Sequence, residues 1–362
     1  MKYLWLVLVI GLAATGNLCG QPIADKKFTK SIKVATDSIN QLMKRRDIPG
    51  LVVTVSLDGK LVWSQGFGYS DLEQQVPADP SRSRFRIGSI SKSLTIATLG
   101  RLYERNMIIP DSSIYFYLPD YPLKKFRPTV RQVSGHIGGI RAYKGQEFYI
   151  TEHYNSVDVA LSVFKEDPLE SKPGTTYLYS SHGFNLLSAV LEHAGRKKFL
   201  DLVRDEVFGP LNMIQTSADV NDSIIAGRTR YYEVGPRGLV NAPYVDNSYK
   251  WAGGGFISTS EDITKFAQAL LRADYLRTQT IQMLTTQQTL ADGKTTSYGM
   301  GFGVGKDDQG NSFFGHTGGS VGGTSDMVIF PQQRMTIVVL TNLSGARLGG
   351  IAKHVGQLFM VP

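Results

Sequence analysis

The sequence predicts an α+β fold in which one antiparallel β-sheet is flanked by helices and has a large, mostly helical insert. Strand-like patterns occur near both ends of the chain, within residues 51–67 and again within 299–341. The segments between them repeat their apolar residues at helical spacing. A sheet with one apolar face must be covered by other elements, so we expect the terminal helices to pack on it.

The N-terminal part of the chain predicts a helix and then a hairpin. The apolar face of an amphipathic helix over residues 25–43 would hold Phe28, Ile32, Ala35, Ile39 and Leu42. Residues 51–57 and 61–67 have the β-branched and apolar composition of strands. Asp58-Gly59 joins them, and this dipeptide favours the tight turn of a two-residue hairpin.

The remaining elements follow in order along the chain. Helices are expected at residues 89–106, 156–166, 184–194, 197–208 and 261–273. Strands are expected at 299–304, 312–316, 326–330 and 335–341, and a closing helix at 346–359. The sheet part should therefore come from about 23–88 and 296–362, and the helical part from about 89–295. Any cleft should lie between the two parts.

The first twenty residues have the order of a secretory signal peptide. Lys2 is followed by an apolar run over residues 3–14 and then by small residues up to Gly20. We expect residues 1–20 to be removed, the mature chain 21–362 to be a single domain, and the protein to be secreted or held in the ER lumen. An uncleaved membrane anchor is the alternative, although the apolar run is short for a membrane span.

The composition argues against several cofactors and partners. With 42% hydrophobic and 19% charged residues, the chain is typical of a globular protein. The net charge of +8 is spread thinly, without a run of five basic residues, which argues against nucleic acid. Cys19 is the one cysteine and the six histidines form no close pair, so no disulfide framework, metal or other cofactor is expected. No second apolar run has spanning length, so no stable membrane span is expected after signal removal.

Ser89 and Lys92 form an S-x-x-K pattern at the start of a predicted helix. Residues three apart share a helix face, so the hydroxyl and the amine can meet. A serine at a helix N-terminus has free backbone N–H groups beside it, which suits a nucleophile whose attack creates an oxyanion. The lysine must be neutral to accept the proton, which requires burial or a cationic neighbour. This pair is the candidate nucleophile and base.

A second S-x-x-K, formed by Ser162 and Lys165, shows that the pattern alone is weak. Context separates the two pairs. A short strand-like run and a glycine precede Ser89, which opens a long helix, whereas Ser162 lies within a predicted helix. The simpler interpretation of either pair is an ordinary serine and lysine on a helix surface.

Tyr179 lies two residues before Ser181, in a loop that leads into a predicted helix. A tyrosine there can relay a proton between a nucleophile and a leaving group. Taken alone, it is more simply a buried tyrosine with a hydrogen-bond partner.

His316, Thr317, Gly318 and Gly319 stand at the end of a predicted strand. The glycines would let a substrate lie close along the strand. The backbone N–H of Gly319 could join that of Ser89 as the second oxyanion donor. A strand-end histidine in a glycine-rich turn is the simpler interpretation of His316.

Together these segments are similar to a known family. Residues 85–95 resemble the first motif of class C β-lactamases, DD-peptidases and related esterases. Residues 243–256, with the motifs at 89–92 and 316–319, are similar to the animal serine β-lactamase-like (LACTB) family, and this similarity spans about residues 23–359. The resemblance implies a serine β-lactamase/DD-peptidase-like fold and a penicillin-binding-protein-like serine hydrolase with an acyl-enzyme mechanism. It also implies a protease linked to mitochondrial lipid metabolism, which makes the mitochondrion the alternative compartment.

The same resemblance assigns roles to individual residues. It makes Ser89 the nucleophile, Lys92 its base, Tyr179 the tyrosine of the second motif and His316 the residue of the third motif. The implied oxyanion and substrate-binding residues are Ser89, Gly319, Ser181, Thr317 and Gly318. Position 181 is usually Asn in the bacterial enzymes and position 316 usually Lys. A largely neutral histidine holds a β-lactam carboxylate poorly, so we expect a peptide or a small ester as substrate rather than efficient β-lactam hydrolysis.

Several alternatives stay open. An esterase, a true β-lactamase or a DD-peptidase would use the same residues, and a non-catalytic, self-assembling scaffold would keep the fold around a vestigial site. A homo-oligomer is compatible with each.

Residues 318–322 also match the G-x-S-x-G nucleophile elbow, with Ser320, Asp326 and His354 in order, but that motif needs a helix where residues 327–330 predict a strand. Residues 134–136 and 253–255 are expected to be structural walls of the cleft.

Overall fold

The computed structural model describes residues 22–360. The predicted signal segment and Cys19 lie outside the described residues. Within them, no helix combines the length and the apolar character that crossing a bilayer requires.

The main sheet is antiparallel and takes its strands from both ends of the chain. The strands of the chain are β1 (Ile23–Ala24), β2 (Gly50–Leu57), β3 (Lys60–Asp71), β4 (Val76–Pro77), β5 (Phe85–Arg86), β6 (Ser217–Ala218), β7 (Tyr232–Gly235), β8 (Gly238–Asn241), β9 (Phe256–Ser258), β10 (Gly303–Lys306), β11 (Ser312–Ser320), β12 (Gly323–Phe330) and β13 (Met335–Thr341). The main sheet has the order β1-β3-β2-β13-β12-β11-β10, with β4 paired to β3. Strands β5, β9 and β6 form a small second sheet, and β7 and β8 form a hairpin.

The predicted hairpin forms because its turn residues tolerate a left-handed backbone. Asp58 has a φ of 51° and Gly59 a φ of 78°, which is the pair of positive φ values that a type I′ turn requires. The turn aligns β2 with β3. On its other side β2 pairs with β13, from Leu51 opposite Thr341 to Leu57 opposite Met335. This pairing joins the two ends of the chain in one sheet.

Helices cover the sheet on both faces. They are α1 (Thr29–Arg46), α2 (Ile90–Glu104), α3 (Val130–Ser134), α4 (Val157–Ala160), α5 (Ser181–Gly195), α6 (Phe199–Val203), α7 (Trp251–Gly254), α8 (Ser260–Ala269), α9 (Thr278–Thr285) and α10 (Ile351–Met360). Helices α1 and α10 pack on the outer face, where the Phe359 ring lies 5.9 Å from that of Trp63 and 5.1 Å from that of Phe28. The arrangement confirms the predicted α+β fold.

Helix α2 runs through the middle of the insert, and residues on all its sides are buried. It packs against α5, α7 and α9, and also against strand β11. A helix that is buried on all sides is typical of a position inside a protein core. The N-terminal end of α2 is thereby held at the junction of the sheet and the insert.

Some predicted boundaries are wrong for identifiable reasons. The helix expected at 156–166 is only the single turn α4 followed by a 3-10 turn at Leu161–Val163. The strand expected from residue 299 begins at Gly303, because Gly301 adopts a φ of 70° that interrupts an extended chain. The closing helix begins at Ile351 rather than 346, after two glycines at positive φ.

Candidate active site

Ser89 lies directly before α2, at its N-cap position. The preceding Gly88 has a φ of 49°, and a Cβ there would lie 2.7 Å from the backbone N of Gly319. No real Cβ tolerates such a distance, so a glycine at 88 lets β11 pass directly beside the helix start. Ser89 and Gly319 consequently line the same cavity.

The amine of Lys92 lies at the centre of the site. Its Nζ is 3.0 Å from Ser89 Oγ and 3.0 Å from Ser181 Oγ, and it donates to the carbonyl oxygen of Gly253 at 2.6 Å. Lys92 is fully buried, and burial together with the charge of Lys250 lowers its pKa well below 10.5. A neutral amine has two N–H groups and one lone pair. The N–H groups can serve Gly253 and Ser181, which leaves the lone pair for the Ser89 proton.

Tyr179 meets the same serine from the other side. Its hydroxyl interacts with the side chain of Ser89, which lowers the pKa of the phenol, and its ring centroid lies 4.9 Å from Lys92 Nζ. Burial of the hydroxyl raises the pKa of Tyr179 above 10, although part of the ring is exposed to the cavity. The phenol is therefore protonated near neutral pH and able to donate a hydrogen bond.

His136 supports Tyr179, a contact that the sequence did not predict. Its ring lies 4.3 Å from the ring of Tyr179 and 4.6 Å from that of Tyr298, and its Nδ1 accepts a hydrogen bond from the Ser180 N–H at 3.1 Å. Burial lowers the pKa of His136 well below 6.5, so the ring is neutral. Residues 134–136 were expected to be a cleft wall, and His136 is the part of that wall that touches Tyr179.

His316 is brought close to Tyr179 but has other partners. The two ring centroids are 6.2 Å apart. The Nδ1 of His316 lies 2.5 Å from the carbonyl oxygen of Thr317, and its Nε2 lies 2.8 Å from the Tyr298 hydroxyl. Since a carbonyl can only accept, Nδ1 holds the proton and Nε2 accepts from Tyr298. Burial and the neighbouring Lys92 lower the pKa of His316 to about 3.

The remaining predicted residues lie in or beside the cavity. Ser181, the first residue of α5, contacts Lys92. Thr317 and Gly319 line the cavity from β11. A side chain at position 318 would point away from the cavity, because a Cβ there would lie 2.1 Å from the carbonyl oxygen of Ile87. This alternation is the ordinary two-residue period of a strand.

The cavity between the sheet and the insert has a volume of about 830 Å³. Several of its lining residues are not among the candidates predicted from the sequence, and these are Tyr143, Phe148, Tyr149, Glu233, Val234 and Lys250. A smaller cavity of about 290 Å³ lies on the other side of Tyr179 and includes His316. Among residues 22–360, no group of three His, Cys, Asp or Glu side chains is arranged to hold a metal ion.

The alternative serine motifs do not form comparable sites. Ser162 is exposed in the short 3-10 turn that follows α4. Ser320 ends β11, and β12 rather than a helix follows it, so the strand predicted at 327–330 is confirmed and the nucleophile-elbow geometry is missing. His354 lies on α10 with Nε2 3.3 Å from Ser38 Oγ.

A family model described as β-lactamase matches residues 35–355. The chain belongs to the β-lactamase family. It is 30% identical to the human serine β-lactamase-like protein LACTB, mitochondrial, over 86% of this chain and 74% of that protein. It is 31% identical to the mouse protein of the same name, over 86% of this chain and 75% of that protein. Within the family it is thus of the LACTB and penicillin-binding-protein-like kind.

Solved structures of the family share the fold. The octameric penicillin-binding protein homologue from Pyrococcus abyssi superposes with a TM-score of 0.78 at 23% identity, over 91% of this chain and 77% of that chain. The members of this family are serine hydrolases, and the chain is an enzyme of this type.

Proposed function

We propose that Ser89 attacks the carbonyl carbon of an amide or ester and forms an acyl-enzyme. The observation that carries the proposal is the 3.0 Å distance from Ser89 Oγ to Nζ of a fully buried Lys92. The lone pair of the neutral amine takes the hydroxyl proton as the Oγ–C bond forms. The backbone N–H groups of Ser89 and Gly319 then hold the oxyanion.

Tyr179 acts in the proposed reaction when the leaving group departs. As the carbon–leaving-group bond breaks, the Tyr179 hydroxyl donates its proton to the leaving atom, and the proton held by Lys92 restores the phenol. Water then attacks the acyl carbon with Lys92 as base, and the returning proton regenerates Ser89. His136 and Tyr298 hold the Tyr179 ring, and His316 acts on the reaction through its hydrogen bond to Tyr298.

A peptide is the proposed substrate, with a small ester as the alternative. Thr317 and Gly319 face the cavity from an open stretch of β11, along which an extended peptide could lie. The similarity to LACTB supports a peptidase, and on the same ground we propose a link to lipid metabolism. A β-lactamase is less well supported, because a His316 with a pKa of about 3 supplies no cation at the third-motif position, where the bacterial enzymes usually have a lysine.

Covalent labelling with a fluorophosphonate probe tests whether Ser89 is the nucleophile. Purified mature protein should be labelled, labelling should disappear in Ser89→Ala, and it should persist in Ser162→Ala, which changes the exposed serine of the second S-x-x-K pattern. Labelling of Ser89→Ala at the wild-type rate would overturn the proposal. Absence of labelling in all three proteins would favour the scaffold alternative.

Self-assembly is a second candidate property, supported by the octameric state of the Pyrococcus abyssi homologue. We propose that this chain forms a homo-oligomer. Light scattering should then show a mass that rises with protein concentration and is unchanged in Ser89→Ala. A monomer at all concentrations would exclude it.

We propose that the protein is secreted or held in the ER lumen, with the mitochondrion as the alternative compartment. The order of residues in the N-terminal segment supports secretion, whereas the human and mouse relatives are described as mitochondrial. Fractionation of cells that express the full chain with a C-terminal tag would separate these alternatives.

A further inference from the structure

Lys250 is a second buried lysine in the wall of the cavity that holds Ser89. It ends the 3-10 turn Ser248–Lys250, directly before α7. The helix that follows provides Gly253, whose carbonyl oxygen binds Lys92. Lys250 therefore lies on the element that already helps to build the site, and its charge lowers the pKa of Lys92, but the proposed reaction brings no substrate group to it.

Aromatic rings surround the amine of Lys250, and few of its N–H groups are used in hydrogen bonds. Its Nζ lies 4.5 Å from the ring centroid of Phe148, 5.1 Å from that of Tyr249 and 5.9 Å from that of Tyr143. Aromatic ring faces favour a cation at these distances. Within residues 22–360 its hydrogen bond is a long one, of 3.4 Å, to the carbonyl oxygen of Phe148. An ammonium at this position retains donors for a ligand in the cavity.

The charges behind the cavity wall leave this region with an excess of cations. Arg86 Nε lies 2.6 Å from Asp219 Oδ2, and Arg228 Nε lies 3.3 Å from Asp219 Oδ1. Two guanidinium groups thus share one carboxylate before Lys250 is counted. Burial and the charge of Arg86 lower the pKa of Lys250 to about 7, while Asp219 acts in the opposite direction. A buried cation without a full counter-charge is costly, and a bound anion would relieve that cost.

A hydroxyl near the same charges also lacks a partner. Arg86 Nη1 donates to the carbonyl oxygen of Val321 at 2.9 Å, which fixes the end of β11 beside this cluster. The neighbouring Ser320 lines the cavity, and its buried Oγ has no hydrogen-bond partner in the described part of the chain. An orphaned buried hydroxyl in a binding cavity is a candidate ligand contact.

We propose that Lys250 determines specificity by binding a carboxylate of the substrate, with Ser320 as a second donor. This inference rests on the proposed acyl-transfer function and specifies its substrate class as anionic. The carboxylate could belong to the acyl portion of the substrate or to the leaving group. These two sources share the same chemistry, and matched substrates separate them.

The test uses two pairs of esters that differ only in a carboxylate. p-Nitrophenyl hexanoate and mono-p-nitrophenyl adipate place it on the acyl side. Phenyl butyrate and 3-carboxyphenyl butyrate place it on the leaving group. In the wild-type enzyme, kcat/KM should favour the anionic ester by on the order of tenfold in one pair, after correction for spontaneous hydrolysis. The favoured pair identifies the side on which the carboxylate binds.

The ratio within a pair isolates Lys250 from the chemistry, because Lys92 acts on both esters alike. In Lys250→Met the ratio should fall towards one, whatever happens to the neutral ester. It should persist in Lys250→Arg and in Lys294→Met, an exposed lysine that serves as the matched control. An unchanged ratio in Lys250→Met, or no preference in the wild type, would overturn the inference.

A measurement on the unmodified enzyme covers the case in which Lys250→Met does not fold. The wild-type ratio should decline as the pH rises through about 7, because Lys250 loses its proton there while Arg86 stays charged. The other titratable groups near Lys250 include Asp219, Lys92, Tyr143 and Tyr249, and Glu233 lines the same cavity. A ratio independent of pH would count against Lys250.

Failure of this inference is distinguishable from failure of the proposed function. Ester turnover that requires Ser89 but shows no carboxylate preference would leave the function standing and overturn the role of Lys250. Absence of ester turnover together with absence of fluorophosphonate labelling would overturn both.

Discussion

The amine of Lys92 lies 3.0 Å from the hydroxyl of Ser181, at the same distance as from the hydroxyl of Ser89. Ser181 opens α5 and Lys92 lies in the first turn of α2, so this contact fixes two helices of the insert around one amine. It also gives the amine an acceptor that is not the nucleophile. The lone pair can then stay directed at Ser89, which is the geometry that a general base requires.

Replacing the base should lower acylation strongly. Lys92→Met removes the proton acceptor at similar side-chain length, and we expect the rate of fluorophosphonate labelling to fall by about 10²- to 10⁴-fold. Lys92→Arg should fail to restore it, because a guanidinium stays protonated. Wild-type labelling rates in either folded variant would contradict the assignment of Lys92.

Removal of the Tyr179 hydroxyl should affect poor leaving groups more than good ones. Tyr179→Phe keeps the ring beside His136 but loses the proton donor. We expect hydrolysis of a peptide anilide to fall by roughly 100-fold and that of a p-nitrophenyl ester by less than about tenfold, since p-nitrophenolate leaves without protonation. Parallel assays of the two substrates measure this difference, and equal losses would argue for a purely structural tyrosine.

The pH dependence of acylation should report the pKa of Lys92. The labelling rate should increase with pH as Lys92 loses its proton, and the midpoint of this increase should lie well below pH 10.5 because burial lowers the pKa of Lys92. The charge of Lys250 lowers that pKa further, so Lys250→Met should move the midpoint to higher pH. Labelling rates measured across the pH range in the wild type and in Lys250→Met test the direction of this shift. A shift to lower pH would contradict the electrostatic coupling.

Adjacent glycines of β11 should differ sharply in their tolerance of a methyl group. A Cβ at Gly318 would lie 2.1 Å from the carbonyl oxygen of Ile87, which is backbone and cannot move aside, whereas a Cβ at Gly319 meets no atom within 4 Å. Gly318→Ala should lower the free energy of unfolding by about 2 kcal/mol or more. Gly319→Ala should change it by less than about 0.5 kcal/mol. Denaturant unfolding of the two variants checks this, and equal stabilities would contradict the packing.

Patterns of a few neighbouring residues in the sequence predicted those parts of the structure whose geometry depends on these residues alone. The spacing of Ser89 and Lys92 on one helix face, and the turn at Asp58-Gly59, both follow from the backbone alone. The contacts of Lys92 with Ser181 and Gly253 join residues 89 and 161 positions apart in the sequence, so no periodicity could reveal them. They depend on how α5 and α7 pack against α2.

Lys250 illustrates the same limit. It lies within the stretch 243–256 on which the family resemblance rests, and that was the available signal for it. In sequence it is an unremarkable lysine beside aromatic residues, and lysines are usually exposed. Only the fold places it in the cavity wall, beside the excess of cations formed by the buried Arg86 and the partly exposed Arg228.

Mass spectrometry of the enzyme, quenched with acid during turnover of p-nitrophenyl hexanoate, tests the central claim most directly. We predict a hexanoyl adduct on the peptide that contains Ser89, with no adduct and no turnover in Ser89→Ala. An adduct on another residue such as Ser320, or undiminished turnover in Ser89→Ala, would contradict the assignment of Ser89 as the nucleophile.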